Sequence, residues 1–443
     1  MRITFVRPNM IPGRAGDAME PLVFAYLAGM SRERAACELY DERVETVPLD
    51  RETDLVAMTV ETYTARRAYQ LAMSFRQRGI PVVVGGYHPT FAVDEAIEHA
   101  DAVVVGDAES VWPTLLDDVE RGQLQRVYRG NTRHDLARLP VDRSIFIGKR
   151  YARLALVQYG RGCRYACDFC SIRAFYGDGL RQRPLAEVVD EIRRLERRHL
   201  FFVDDNLYAT REQLAALCHA LLPLGVRWSA QVSLDVARDD ELLQLMRQSG
   251  CMAVIIGFES LSEANLTQMK KHWSAKLGDV LTLTKRLGDH GIMIYGTFVF
   301  GYDEDTVDSF DRSLDFAMKA KLFLANFNPL TPMPGTPLYE RLDREQRLRY
   351  RAWWIDPSYR YGDAIFNPRG MSADELTAGC RRLRMQFNEY GSIAWRMLTR
   401  SALDPGTGNW WVYLLANFVS RREIYHKQGA PLGALVPPEV QAI

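Results

Sequence analysis

Short apolar runs alternate with helix-like segments over the first 140 residues. Val82–Val84 and Ala102–Val105 are nearly continuous apolar runs, which is typical of parallel strands buried on both faces. Glycines follow both runs, at Gly85, Gly86 and Gly106. This alternation predicts a doubly wound, Rossmann-like parallel sheet. The predicted strands are Ile3–Arg7, Leu55–Val60, Val82–Val84 and Ala102–Val105, and the predicted helices are Ala65–Arg78 and Val93–Glu98.

A second alternation of strands and helices follows a charged linker at Arg129–Arg150. Apolar positions at helical spacing behind Pro184 and around Leu214 separate its strands. Six β/α units are too few for an eight-stranded barrel, so we expect an open, partial TIM-like (β/α)6 barrel. Its predicted strands are Leu154–Tyr159, His199–Val203, Arg227–Ser233, Ala253–Phe258, Ile292–Phe300 and Leu322–Asn328.

Helical patterns replace strands after residue 345. Ser372 and Glu375 predict a capping box for a helix whose apolar face continues to Phe387, and Trp410–His426 predicts another helix. We therefore expect an α/β protein of three units, namely a Rossmann-like domain at 1–140, a partial barrel at 141–345 and a helical domain at 346–443.

The composition is that of an ordinary globular chain, with 47% apolar and 25% charged residues. Lys+Arg and Asp+Glu are both 56, so the net charge gives no reason to expect a nucleic-acid or acidic-membrane partner. The N-terminus lacks the apolar core of a signal peptide. The longest late apolar stretch, Trp410–Val419, is shorter than the ~20 residues that a spanning helix needs. We expect a cytoplasmic protein with neither kind of partner.

Three of the seven cysteines fall within eight residues, at Cys163, Cys167 and Cys170 in a glycine-flanked loop. Soft thiolates select zinc, copper(I) or iron–sulfur clusters. A structural zinc site uses a closed set of four ligands, and the next candidate ligand is the distant His199. The triplet therefore favours an iron–sulfur cluster with one iron open to another ligand. A zinc site completed by a distant residue and three unrelated core cysteines remain as alternatives.

This Cys-x-x-x-Cys-x-x-Cys triplet, with the aromatic Phe169 before its last cysteine, resembles the signature of the radical S-adenosylmethionine (SAM) superfamily. The resemblance implies that the three thiolates hold a [4Fe–4S] cluster whose open iron binds SAM. It implies that the reduced cluster cleaves SAM to a 5′-deoxyadenosyl radical. An electron donor such as flavodoxin or ferredoxin would then be a partner.

Later segments resemble other strands of the same superfamily. Phe202–Asn206 is similar to the second barrel strand, Ile256–Ser260 to the fourth, Phe300–Glu304 to the end of the fifth, and Pro329–Pro337 to the sixth-strand motif of the cobalamin-associated branch. Carboxylate and amide acceptors at these strand ends suit the SAM amino group and ribose hydroxyls. The implied SAM contacts are Phe169, Asp204, Asp205, Asn206, Ser233, Glu259 and Ser260.

Simpler interpretations exist for some of these side chains. Asp204–Asn206 also fits a helix cap and turn, and Glu259 also fits a solvated loop carboxylate. For Asp303 and Glu304 we favour the solvated loop.

The segments Val82–Thr90 and Ala102–Glu109 resemble the cobalamin-binding domain that is fused to many radical SAM enzymes. The Asp-x-His-x-x-Gly loop, whose histidine ligates cobalt in some cobalamin proteins, does not follow the first strand, and many methylases of this branch also lack it. The alternative is a vestigial domain with no cobalamin. Ligands of doubly wound sheets bind beyond the carboxyl ends of the strands. The candidate cobalamin contacts there are Asn9, Thr59, Glu61, Gly85, Gly86, His88, Gly106 and Glu109.

Three hypotheses about function follow. The first is a radical SAM enzyme that transfers a methyl group to carbon of a small-molecule substrate with the help of cobalamin. The second is a cobalamin-independent radical SAM reaction, such as ring formation, dehydrogenation or aminocarboxypropyl transfer. The third is a zinc- or cobalamin-binding protein without enzymatic activity. The sequence does not identify the substrate, and the aromatic cluster of Trp353, Trp354, Tyr359 and Tyr361 is interpreted as core packing.

Overall fold

The chain folds around two all-parallel sheets, which the computed structural model describes over residues 1–131, 133–403 and 409–433. The first sheet is built from residues up to 129. Its strands are β1 (Arg2–Arg7), β2 (Ala36–Asp41), β3 (Leu55–Thr59), β4 (Val82–Gly85), β5 (Ala102–Val105) and β6 (Val127–Arg129), and its helices are α1 (Leu22–Ser31), α2 (Ala65–Arg76), α3 (Tyr87–Phe91), α4 (Val93–His99) and α5 (Trp112–Glu120).

The strand order of this first sheet is β2-β1-β3-β4-β5-β6. The order reverses at β1, which pairs with both β2 and β3. Doubly wound sheets bind ligands at such a reversal, in the crevice beyond the carboxyl ends of the strands. The predicted Rossmann-like fold is confirmed, and its candidate ligand site is thereby placed.

The second sheet is the predicted partial barrel. Its strands are β7 (Ala155–Val157), β10 (His199–Phe202), β11 (Arg227–Gln231), β12 (Cys251–Glu259), β13 (Met293–Phe300) and β14 (Leu324–Pro329), and an antiparallel pair, β8 (Gly160–Arg161) and β9 (Arg181–Gln182), lies beside it. The accompanying helices are α6 (Ser171–Tyr176), α7 (Leu185–Arg194), α8 (Arg211–Leu221), α9 (Asp240–Gln248), α10 (Glu263–Gln268), α11 (His272–Ala275), α12 (Val280–Asp289), α13 (Val307–Lys319) and α14 (Pro337–Arg344).

The six barrel strands follow one another in the order β7-β10-β11-β12-β13-β14. Among the described residues no pairing joins β7 to β14, so the barrel is open. Buried and accessible positions alternate along β12, β13 and β14. One face of each strand packs in the apolar core, and the other lines an accessible lumen.

The C-terminal part contains the helices α15 (Ala373–Phe387), α16 (Tyr390–Met397), α17 (Arg400–Leu403) and α18 (Asn409–Lys427). The predicted capping box at Ser372 and Glu375 is present. Residues 346–372 form turns instead of the helical structure expected there, and the predicted domain's last residues, 434–443, lie outside the described part. No helix in the described ranges is long and apolar enough to cross a lipid bilayer.

Candidate functional site

The cysteine loop connects β8 to α6. Cys170 is the residue before α6, and its backbone N–H donates to the Cys167 carbonyl oxygen at 3.3 Å. All three thiols are free and half-buried. Burial raises the pKa of Cys163 and Cys170 and raises that of Cys167 to about 12. A bound metal that takes up thiolates offsets this effect of burial, so the loop suits a metal cluster.

The loop supplies three of the four ligands that a closed zinc site needs. Zn–S bonds are about 2.3 Å long, so a mononuclear zinc site brings its sulfurs to within about 4 Å of one another. Within the described ranges no three His, Cys, Asp or Glu side chains converge in this way. A cluster binds its cysteines through separate irons, as the resemblance to the radical SAM signature implies for these three.

Two carboxylates at the end of β10 anchor the chain that leads into the cysteines. Asp204 accepts hydrogen bonds from the backbone N–H of Tyr159 at 2.9 Å and of Gly160 at 2.5 Å. Asp205 accepts one from the Gly162 N–H at 2.8 Å. Burial is the main cause that raises the pKa of Asp204 to about 7 and that of Asp205 to about 6. The pair positions the loop and caps no helix.

Asn206 ties the ends of β10 and β11 together. Its Nδ2 donates to Ser233 Oγ at 3.2 Å, and its Oδ1 accepts from the Ser233 N–H at 3.1 Å. The residues predicted to bind SAM on these two strands therefore lie side by side.

Glu259 at the end of β12 is not the solvated carboxylate of the simpler interpretation. Its side chain is only 12% exposed and pairs with Lys271 Nζ at 3.0 Å. Lys271 also donates to the Gly257 carbonyl oxygen at 2.6 Å. Both charges act on the pKa of Cys167, which places this ion pair beside the cysteine loop. The neighbouring Ser260 accepts from the Ser262 N–H at 3.1 Å.

The aromatic and acidic residues of the cysteine triplet are tied to the barrel. Phe169 packs against the barrel core, and Asp168 accepts a 2.6 Å hydrogen bond from the Tyr302 hydroxyl. For Asp303 the solvated-loop interpretation is wrong, because this carboxylate is 15% exposed and pairs with Arg347 at 3.0 Å, whereas Glu304 is exposed, as that interpretation expects. Tyr302 of the fifth-strand motif therefore helps to hold the cysteine loop in position.

The barrel lumen opens beside these strand ends. Tyr295 of β13 lies deep in the molecule and yet is partly accessible, whereas Phe298 of the opposite face is fully buried. On β14, Asn326 and Asn328 are accessible and Phe327 is buried. Asn326 Nδ2 donates to the Tyr295 hydroxyl at 2.6 Å. The lumen therefore offers polar and aromatic contacts to a small molecule.

A cavity of about 480 Å³ lies at the carboxyl ends of β3, β4 and β5. Its walls are mainly apolar, and barrel residues such as Leu156, Gln158 and Arg161 close its other side. Six of the candidate cobalamin contacts line it, namely Thr59, Glu61, Gly85, Gly86, Gly106 and Glu109.

The other two candidate contacts do not line the cavity. Asn9 donates from its backbone N–H to Glu42 and from its side chain to the Gly13 carbonyl oxygen. His88 is fully buried, and its Nε2 lies 3.0 Å from the Tyr69 hydroxyl and 3.1 Å from Glu95. The turn at Gly86 directs Tyr87 to the cavity and the next residue, His88, into the domain interior.

The cavity offers apolar surface and free hydrogen-bond donors, which suit the corrin ring and the amide groups of cobalamin. Two buried donors on its wall, the Tyr26 hydroxyl and Arg7 Nε, have no hydrogen-bond partner in the described part of the chain. Gly86 and Gly106 have φ values of +105° and +78°, so their backbone turns sharply and leaves the strand ends bare.

The cavity and the cysteine loop share a wall. Phe175 and Tyr176 of α6, the helix that begins after Cys170, line the cavity, and the Tyr87 ring lies 4.8 Å from that of Phe175. Arg161 pairs with Asp107 at 3.3 Å and also with Glu109. Tyr87, Arg161 and Lys271 were not predicted as site residues, because their partners Phe175, Glu109 and Glu259 are not adjacent to them in sequence.

Comparisons with known proteins agree with this geometry. Residues 157–317 match the family model of the radical SAM superfamily. The chain is 31% identical to bacteriochlorophyllide d C-12(1)-methyltransferase of Chlorobaculum tepidum over 92% of this chain and 90% of the relative. It is 27% identical to bacteriochlorophyllide d C-8(2)-methyltransferase of the same organism over 75% of this chain and 78% of the relative.

A solved structure shares the fold. The radical SAM methyltransferase TsrM from Kitasatospora setae, with cobalamin and a [4Fe–4S] cluster bound, superposes with a TM-score of 0.64 at 16% identity and covers 96% of this chain and 99% of its own. The cysteine loop, the strand-end carboxylates and the 31% identical relative together place this chain: it belongs to the radical SAM superfamily and is one of its enzymes.

Proposed function

We propose that this protein is a cobalamin-dependent radical SAM methyltransferase that methylates carbon of a small-molecule substrate. One observation carries the proposal: α6 begins directly after Cys170 and forms a wall of the apolar cavity with Phe175 and Tyr176. A cofactor in the cavity and a cluster on the loop would be neighbours across this one short helix. The alternative with a vestigial N-terminal domain leaves the bare strand ends and the unpaired donors without a purpose.

The bound cofactors supply the radical and the methyl group. The residues of the chain bind these cofactors, orient them and enclose them. The cluster would be held by Cys163, Cys167 and Cys170. Asp204 and Asp205 hold the backbone of the segment that precedes Cys163. The mainly apolar walls of the cavity favour an apolar ligand surface over water.

Glu259, one of the predicted SAM contacts, forms a fixed charge pair with Lys271. The pair is nearly buried, so its field at Cys167 is weakly screened by solvent. A SAM ribose would find the Glu259 carboxylate already oriented, since Lys271 holds one of its oxygens.

The acceptor is proposed from the relatives and the lumen. Both methyltransferases named above act on bacteriochlorophyllides by name, so a carbon of a tetrapyrrole is the first acceptor to test. The accessible Tyr295, Asn326 and Asn328 place aromatic and amide groups where such an acceptor would lie. An electron donor such as flavodoxin or ferredoxin and a cytoplasmic location complete the proposal.

The test is anaerobic reconstitution with iron, sulfide and hydroxocobalamin, followed by incubation with SAM that carries a deuterated methyl group. We expect about four irons and one cobalamin per chain, and a product of bacteriochlorophyllide d that is heavier by the labelled methyl group. Formation of 5′-deoxyadenosine by protein that binds no cobalamin and transfers no label would overturn methyl transfer and favour a cobalamin-independent radical reaction.

A further inference from the structure

Arg384 of α15 is a buried cation without a carboxylate partner. The residue is 5% exposed. Its Nη2 donates to Gln428 Oε1 at 2.6 Å, and its Nη1 donates to Asn328 Oδ1 at 3.5 Å, the outer limit of a hydrogen bond. Its Nε has no partner, and no Asp or Glu oxygen of the described residues lies within 4 Å of the guanidinium. Burial of an uncompensated charge is expensive and calls for a counter-ion.

The other buried arginines of the described residues differ from Arg384 in their partners, although the Nε of Arg183 also lacks one. Arg161 and Arg183 pair with carboxylates. Arg396 is fully buried and donates to three backbone carbonyl oxygens at 2.8 to 3.0 Å, as well as to Asn417. Arg384 has two neutral amide partners and spare donors, so its partners in the chain do not account for its burial.

The guanidinium lies where the three parts of the chain meet. Asn328 is on the lumen face of β14, Gln428 follows α18, and Tyr63 comes from the N-terminal part. Gln428, which accepts from Arg384, lies against Gly362, where a Cβ would be 2.7 Å from Gln428 Nε2, and Gly362 follows Tyr361 in the chain. Tyr63 lies deep in the molecule and is still partly accessible, and its ring is 5.6 Å from that of Tyr361. The partial accessibility of Tyr63 and Asn328 indicates an internal space beside Arg384.

We propose that Arg384 is the subsite for a carboxylate group of the methyl acceptor, held at the Tyr63–Asn328 edge of the lumen. The planar guanidinium binds carboxylates through two parallel hydrogen bonds. One positive charge between two neutral amides matches a monoanion better than a dianionic phosphate. The aromatic rings of Tyr63 and Tyr361 suit the apolar remainder of the acceptor. This inference deepens the proposed function, on which it rests, by giving the acceptor a chemical class.

The test uses reconstituted protein and small probes, so that it needs no turnover and its failure is distinguishable from failure of methyl transfer. Thermal unfolding is followed with sodium propionate, propionamide or inorganic phosphate at matched ionic strength. We expect propionate alone to raise the Tm of the wild type, by about 2 °C when the site is largely filled. Arg384→Met should abolish the response, and Arg384→Lys should keep part of it. Arg381→Met, which changes an exposed arginine of the same helix, should respond as the wild type does.

Four results would overturn the inference: no response of the wild type to propionate, an equal response to propionamide, a response to phosphate alone, or an undiminished response of Arg384→Met. A second readout separates binding from structure. Arg384→Met without any probe should unfold at a Tm no lower than that of the wild type, because it removes an uncompensated charge. Arg396→Met should unfold at a clearly lower Tm, since it leaves carbonyl oxygens unpaired. A loss in Arg384→Met as large as that in Arg396→Met would make Arg384 structural.

Discussion

Glu259 adopts a left-handed backbone conformation, with φ at +63°, which is rare for a residue with a side chain. The conformation folds its carboxylate back over Gly257 towards Lys271. Strain of this kind persists where surrounding contacts enforce it, and it clusters at functional sites. The glycine of the Ile256–Ser260 motif is therefore explained by the glutamate two residues later.

Gly257→Ala should disturb this carboxylate directly. A Cβ at residue 257 would lie 2.0 Å from Glu259 Oε1, which is too close for two non-bonded atoms. The Glu259 side chain would therefore have to move. We expect the rate of 5′-deoxyadenosine formation from SAM to fall about 100-fold, as displaced catalytic groups do. Gly288→Ala is the control, because a Cβ there meets nothing within 4 Å. Equal rates for the two variants would contradict the role of Glu259.

The buried carboxyl of Asp205 should make the stability of the fold depend on pH. Its pKa is raised, chiefly by burial, from 3.8 to about 6, so the folded chain favours the protonated form. Its contribution to stability is complete below pH 4 and is lost as the pH rises through 6. We therefore expect urea unfolding of the metal-free chain to show that the wild type loses free energy of unfolding relative to Asp205→Asn as the pH rises from 4 to 7. A difference that is constant or moves the other way would disprove this assignment.

Elements built from local pattern were predictable. The runs that became β1, β3, β4, β5 and the six barrel strands are apolar enough to be recognised without the structure. β2 and β6 were missed because an edge strand such as Ala36–Asp41 alternates apolar with polar residues over a short length, and Val127–Arg129 has three residues. α1 was missed because it is apolar on all sides and shows no helical stripe.

The candidate site was predictable where ligand spacing is local and not where it is assembled by the fold. The cysteine triplet and the strand-end residues needed only sequence. Pairings such as Arg161 with Glu109, which are 52 residues apart, depend on how the sheets pack. His88 was selected from its motif, and no local signal indicates that its ring turns into the domain interior.

The turn after β4 offers a test of the cavity. Gly86 has φ at +105°, and a Cβ there would lie 2.9 Å from the Val60 carbonyl oxygen. Gly86→Ala should shift the strand end and lower the cobalamin retained after gel filtration by at least half, at unchanged iron content. Gly122→Ala carries the same cost of a left-handed conformation, with φ at +66°, but faces open space. If both variants retained equally little cobalamin, the loss would not come from a change in the cavity.

At the scale of the whole molecule, the segment 346–372 joins the N-terminal sheet to the rest. Trp353, Trp354 and Tyr359 belong to the same buried cluster as Val56 and Val84 of the first sheet. Trp354 Nε1 also donates to Glu95 at 2.9 Å. We still infer units at 1–140, 141–345 and 346–443, but the first of them completes its core with residues of the last.

Trp353→Ala should therefore destabilise the whole chain. The side chain is fully buried, and removal of such an indole lowers the free energy of unfolding by about 3–5 kcal/mol. Trp411→Ala, at a site that is 64% exposed, should change it by less than about 0.5 kcal/mol. Urea denaturation measures both, and similar values for the two variants would contradict the packing of this segment on the N-terminal sheet.

The central claim is that the three cysteines of one loop hold a cluster that cleaves SAM. The decisive measurement is 5′-deoxyadenosine released from SAM under dithionite by reconstituted Cys163→Ala, Cys167→Ala and Cys170→Ala proteins. Cys218→Ala, at a fully buried cysteine of α8, serves as the control for loss of a thiol. The account predicts that each loop variant releases no 5′-deoxyadenosine while the control releases it as the wild type does. Undiminished release by any one of the three loop variants would contradict it.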